Sequence, residues 1–319
     1  MKLKQVFLTL WFCTIVITSL AQASSPEISF RFATKAESQM LVTDIDNYTS
    51  NWNQFDIDAR LQTTNGKRSQ LLTVAMNSVQ TWDENEKKKL TNAVNKLNRE
   101  IKRQKYNLTF PHEIIFLKSD MKDENGASAY TRKNWIAFNS QKLASLNDDD
   151  VTKLLAHELF HILTRNNLNF KKELYKIIGF TVADKKIRFP IDVMEKRISN
   201  PDISRYDSYA TFTINGKAQN CTMILYTNKT YQGGGLFDYL KIGLIPLNEK
   251  LIPIQDGGKT IIYSIDMAID FFDKVGKNTK YIINPEEIMA ENFSLLFTQT
   301  QNLPNPEIIT HIQESLQNK

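Results

Sequence analysis

The chain has 319 residues, 41% of them hydrophobic and 24% charged, with a formal net charge of +5. That balance excludes wholesale disorder, and the length buries a large core without disulfide or metal staples. Two cysteines exclude a disulfide framework and an all-cysteine zinc site, and only His112, His157, His161 and His311 are available to any histidine-based centre.

Lys2 and Lys4 precede an apolar run from Val6 to Leu20, and Ala21-Gln22-Ala23 follows it as an A-x-A cleavage pattern. Residues 1–23 therefore read as a secretory signal peptide, too short in its apolar part for a spanning helix. Cys13 leaves with that segment, and Cys221, among Met223, Ile224 and Leu225, reads as a small buried hydrophobe. No later segment is apolar enough to span a membrane. Residues 24–319 are expected to form one exported domain, of which 24–80 give no clear pattern.

Residues 83–104 read as a helix, with Asp83 as cap and Leu90, Val94, Leu97 and Ile101 on one face. The basic run at Lys87, Lys88 and Lys89, continued by Arg99, Lys102, Arg103 and Lys105, reads as the solvated side of that helix. It lacks the interleaved aromatics of a nucleic-acid surface. Residues 113–118 are a short strand, 123–126 a turn, and 127–139 a hairpin or edge strand. Asn147 and three aspartates open a helix that runs to about Arg165, where Asn166-Asn167 close it. Strands are expected at 209–214 and 222–226 around Asn215-Gly216, and Gly233-Gly234-Gly235 is a turn or a hinge. Residues 264–275 read as helical. Pro285 starts a helix that Pro304 ends, and 307–316 form a last amphipathic helix. The pattern is α+β, helix-rich, with one small mixed sheet upstream of the central helix.

His157-Glu158-Leu159-Phe160-His161 is an H-E-x-x-H sequence inside the central helix. Residues four apart share a helix face, so two imidazoles can bind one zinc while Glu158 faces the water beside it. A catalytic zinc takes a third protein ligand. Thr164 and Asn167 stand where one peptidase class needs glycine and a third histidine, which excludes that class. His112 follows Pro111 at a strand start, and His311 reads as a surface or packing residue. Glu287 and Glu291 lie four apart on the helix that Pro285 opens. Glu287 is suited as ligand, and Glu291 to accept the second N–H of a ligand histidine. Glu286 and Glu291 remain alternative ligands, although only Glu287 leaves an acid four residues on. As a first-turn acid, Glu286 is explained by the helix dipole alone.

These two helix motifs resemble the glutamate-ligand zinc metallopeptidases, the gluzincins, whose type is the thermolysin-like catalytic module. The chain departs from them in having Glu291 where aspartate is usual, and in a long insertion between His157 and Glu287. Residues 126–132, 157–165, 200–202 and 281–293 are also similar to a group of exported bacterial proteins assigned to the zinc peptidases. The resemblance covers roughly the last two-thirds of the chain. It implies a zincin-like catalytic domain, one catalytic Zn2+, a peptide or protein substrate, and a periplasmic or secreted bacterial location.

The expected chemistry is attack of a zinc-activated water on a peptide carbonyl, with Glu158 as general base. A second electrophile is expected from Tyr226, Tyr231, Tyr263 or Tyr281. The resemblance implies that the strand within 130–138 pairs with extended substrate through its backbone. The competing reading is a zinc-bound binding or structural protein without catalysis, for which Glu158 has no use.

Overall fold

The computed structural model describes residues 24–298 and 300–317; the expected signal peptide, residues 1–23, lies outside them. The first stretch, unassigned from sequence, contains strand β1 (Phe30–Phe32) and helices α1 (Lys35–Val42), α2 (Gln54–Leu61) and α3 (Arg68–Ser78). Side chains of Thr34 and Asn53 cap α1 and α2, each accepting from a first-turn backbone N–H. Helices this short hold no amphipathic repeat long enough to read, and their stability comes from docking.

Strand β2 (Val79–Gln80) leads to α4 (Glu84–Gln104), capped by Asp83 in a reciprocal box with Glu86. Leu90, Val94, Leu97 and Ile101 of α4 face the core. Lys87 and Arg103 pair with Glu84 and Glu100 on the solvent side, as the charge pattern suggests. Strands β3 (Ile114–Ser119), β4 (Ala129–Arg132) and β5 (Trp135–Asn139) complete a mixed sheet. Its order is β1, β3, β5, β4, with β2 pairing antiparallel to the far end of β3. β3 is parallel to both β1 and β5 and buried along its whole length, so it carries no alternation. β4 pairs only with β5, antiparallel, and is the free edge.

Helix α5 (Ser140–Ser145) turns the chain into α6 (Asp148–Asn166), the central helix, whose Asn147 side chain accepts from Asp150 N–H at 2.9 Å. Val151, Leu155, Leu159 and Ile162 are buried on it, each worth about 1.5–3 kcal/mol when withdrawn from water. Asn167 ends α6 and also caps α7 (Leu168–Ile177), a helix that the sequence reading did not foresee.

The larger departure follows. A second sheet of five strands contains β6 (Thr181–Val182), β7 (Ser208–Ile214), β8 (Lys217–Tyr226), β9 (Lys241–Pro246) and β10 (Tyr263–Ser264). Short helix α8 (Ile191–Met194) lies between β6 and β7. Asn215 and Gly216, at φ 51° and 72°, form the expected tight turn between β7 and β8. Residues 264–275 are not one helix. Ala268 bridges to Ile214, Ile269 N–H bonds Thr213 O, and Asp270 accepts from Thr213 N–H. Those backbone groups serve the sheet, which leaves only α9 (Phe271–Val275) helical beyond a 3-10 turn. Helix α10 (Pro285–Leu295) stops well before Pro304, because the N–H and hydroxyl of Thr298 both turn back to Leu295 O. Helix α11 (Pro306–Gln317) closes the chain.

One hydrophobic core runs from Ile28 to Leu316 and takes in α4, α6, α7, α10, α11 and both sheets. Cys221 is fully buried in it, its thiol pushed up to about 12 by burial, in keeping with a packing role. No helix among the described residues is long and apolar enough to cross a membrane.

The N-terminal helices fasten the segment 194–202 that follows α8. Asn53 Nδ2 donates to Met194 O and Arg197 O at 3.0 and 2.7 Å. Asp56 accepts both the N–H and the hydroxyl of Ser199, at 2.8 and 2.7 Å. Arg60 donates to Ser199 O at 2.7 Å and pairs with Asp56 and Glu124 at 3.0 Å each. These side chains are almost wholly withdrawn from solvent, and each depends on its partners to offset a desolvation cost of several kcal/mol.

Arg60→Ala leaves Asp56 and Glu124 buried without their cation, and is expected to cost about 3–5 kcal/mol in urea unfolding. Burial, with Glu124 beside it, raises the Asp123 carboxyl to about 7. The folded chain therefore holds this proton more tightly than the unfolded chain does. The stability it contributes is complete below about pH 4 and is lost as pH rises through about 7. Asp123→Asn should flatten that slope and raise stability at pH 8 by on the order of 3 kcal/mol, read from unfolding curves at both pH values.

Candidate metal centre

Helix α10 crosses α6 and lays Glu287 against both imidazoles of the H-E-x-x-H motif. His157 Nε2 lies 3.2 Å and His161 Nε2 3.7 Å from Glu287 Oε2. Three donors around a tetrahedral ion, each about 2.0–2.1 Å from it, stand about 3.3 Å apart. The observed spacings bracket that value. His161 Nε2 is buried and has no hydrogen-bond partner, 3.7 Å from the carboxylate oxygen that also meets His157. His112 and His311 are exposed and belong to no metal-capable group among the described residues.

The far side of each donor is held. His161 Nδ1 lies 3.1 Å from Glu286 Oε1, and His157 Nδ1 lies 3.1 Å from Glu291 Oε1. Asn200 Nδ2 donates to Glu287 Oε1 at 2.8 Å, leaving Oε2 toward the histidines. The Glu286 contact fixes the ring orientation of His161, and Glu291 lies beside His157 as an ion-pair partner. Glu291 thus lies beside the second ring nitrogen of His157, while Glu286 does more than complement a helix dipole. It is buried, and it accepts from the hydroxyls of Thr164, at 2.5 Å, and Tyr175. Lys171 Nζ lies 3.9 Å from it. Burial by itself raises Glu286, but His161, Lys171 and Thr164 outweigh that and bring it down to about 2. Its one readable signal is Thr164, three residues after His161 on the same helix face.

Electrostatics argue for a cation. Glu286 has Lys171 near it and Glu291 has Lys153, at 3.4 Å. Glu287 has an amide and two imidazoles, and Glu158 has a hydroxyl: Thr131 Oγ1 donates to Glu158 Oε2 at 2.7 Å. Burial opposes a charge on His157, yet Glu287 and Glu291 raise its pKa well above the usual value. Positive charge at this point, whether a proton or a metal ion, answers the surrounding carboxylates. The donor set and spacing fit a metal ion.

Glu158 is buried and raised to about 7, by burial first and by the neighbouring Asp202 second. Asp202 Oδ1 accepts the N–H of Thr131 at 2.6 Å, and Arg165 donates to the carbonyls of Pro201 and Asp202 at 2.8 Å each. The strap 199–202 therefore ties β4, α6 and α10 together at the site. Residues 200–202 belong to the family resemblance, but nothing in their spacing announces Asn200 or Asp202 as neighbours of the motif.

A cavity of about 670 Å³ opens over Glu158, His157, Glu287 and Asp202. Of the four candidate tyrosines only Tyr281 lines it. Tyr231 instead donates to Gly234 O, Tyr263 faces Gln219, and Tyr226 packs with Ile224 and Ile245. Leu236 and the exposed Phe237, just after the three glycines, form part of the rim.

A family model described as the eCIS core domain matches residues 117–168, from β3 through α6, which includes His157, Glu158 and His161 but not Glu287. The chain is similar to that family over this stretch. No curated protein and no solved structure gives a match.

Glu286→Gln removes the buried carboxylate behind His161 without touching a donor atom. Divalent-metal affinity, measured by competition with a chromogenic chelator, should fall 10–100-fold.

Proposed function

We propose that the protein is an exported zinc metallopeptidase of gluzincin type. The observation that carries this reading is the meeting of His157, His161 and Glu287 within 4.8 Å, with the Glu158 carboxylate beside them in an open cavity. Two imidazoles and one carboxylate suit zinc and leave an open position, the arrangement of catalytic sites. Bound there, zinc would supply a Lewis acid that polarises the substrate carbonyl and makes water acidic enough to react at neutral pH.

The chain's own groups do the rest. Glu158, oriented by Thr131, takes a proton from the attacking water and delivers it to the departing nitrogen. A carboxyl raised to about 7 suits both halves of that transfer. Tyr281, on the cavity wall, is the side chain available to donate a hydrogen bond to the developing oxyanion. Glu286, Glu291 and Asn200 keep the three donors in place. The apolar run and A-x-A pattern before Ser24 support export to the periplasm or beyond.

The test is zinc content and peptide cleavage for wild type, Glu158→Gln and Glu287→Ala. Glu158→Gln should keep its zinc and lose about 10²–10⁴-fold in kcat. Glu287→Ala should lose zinc on dialysis. A wild type that holds zinc and cleaves nothing in a broad peptide library sinks the peptidase reading in favour of a silent zinc-bound binding protein.

A further inference from the structure

Asp202 blocks the edge strand at Thr131, and its chemistry bears on which end of a peptide enters; this inference rests on the peptidase reading. β4 joins β5 through the two residues Lys133 and Asn134, with Arg132 opposite Trp135. Backbone direction alternates along such a strand. Asn139 N–H bonds Ser128 O, so Ser128, Tyr130 and Arg132 turn inward to β5, and Ala129 and Thr131 turn outward. The outward N–H of Thr131 is already taken by Asp202. An incoming strand can therefore add only to the part of the edge before Thr131.

The cavity has the same polarity. It is lined by the first half of α6 from Asp150 to Glu158 and by the chain from Asn125 to Ala129, with Asp202 on its wall beside Glu158. Behind Asp202 the strap is fastened by Arg165. A peptide pairing antiparallel to β4 runs with its amino end toward Thr131 and Asp202. One pairing parallel brings its carboxylate there, against Asp202 and Glu158. The cation at this end, Arg165, lies behind the strap, its Nε buried, and turns its Nη2 to the two strap carbonyls.

From this we infer that the site takes the free amino terminus of a peptide, that the Asp202 carboxylate receives the α-ammonium, and that residues are removed one at a time. The reach agrees. An α-nitrogen lies about 2.5 Å from its own carbonyl carbon, and a charge-assisted hydrogen bond adds about 2.8 Å. Asp202, Glu158 and His161 offer atoms all within 4.8 Å of one another. In each turnover the oxygen of water bonds to the carbonyl carbon of the first residue, and the C–N bond breaks. Glu158 carries one water proton to the leaving nitrogen. The products are a free amino acid and a peptide one residue shorter.

The experiment compares the pentapeptide Ala-Phe-Ala-Ala-Leu with its N-acetylated form on the zinc-loaded full chain. The free peptide should shorten from its amino end, seen as a mass ladder, at least 100-fold faster than the acetylated one. Calorimetry on zinc-loaded Glu158→Gln should show the free peptide binding at least 10-fold tighter. That preference should vanish in Glu158→Gln/Asp202→Asn, whose asparagine keeps an oxygen for Thr131 N–H. Internal cleavage of the acetylated peptide at a comparable rate overturns the inference and leaves the peptidase reading standing. Equal binding of the two peptides, or a preference that survives Asp202→Asn, overturns it as well. Absence of any cleavage overturns the peptidase reading and stepwise removal with it, while the binding preference separately decides whether Asp202 receives the α-ammonium.

Discussion

Two helices cannot press carboxylates against each other inside a protein unless something positive or strongly hydrogen-bonding lies between them. α6 and α10 do this with Glu158 on one side and Glu286 and Glu287 on the other, all buried. The arrangement is tenable because imidazoles sit in the gap and because every carboxylate has a second partner. Glu286 has Thr164, Tyr175 and Lys171; Glu287 has Asn200; Glu158 has Thr131. Glu287 meets both histidines at one shared point. A metal ion there answers the packing of the two helices as well as the proposed chemistry.

The same constraint explains the N-terminal helices and the strap they hold. Asn200 and Asp202 lie on an irregular segment, and such a segment holds a position to a fraction of an ångström only when its own backbone is bonded elsewhere. Asn53, Asp56 and Arg60 of the α2 region provide those bonds to 194–199, and Arg165 provides them to 201–202. The buried ionic cluster around Arg60 thus reaches the site through Ser199. The strap in turn places one acid beside Glu158 on the cavity wall, so the scaffold bears on the geometry of the site.

Legibility in the sequence followed the range of the interactions. α4, α6 and α11 were readable because caps and apolar faces repeat within a few residues. The hairpin of β7 and β8 was readable from Asn215-Gly216. The second sheet was only half visible, because β6 and β10 are two residues each and β9 takes its place through pairing with β8 and β10. The misread helix at 264–275 is the same effect: its backbone groups bond to Thr213 and Ile214, which no local pattern reports. α1, α2 and α3 are short, and the burial that stabilises them is tertiary.

At the site, the sequence by itself determined which residues could share a helix face. The i, i+4 spacing fixes His157 with His161 and Glu287 with Glu291, because helical geometry is local. Only the tertiary structure decided that these two faces meet, that Glu286 turns away to hold His161, and that Thr131, Asn200 and Asp202 join them. Those choices depend on how helices, an edge strand and a strap pack across the fold. The physical reason is that buried charge is tolerated only where distant parts of the chain converge to satisfy it.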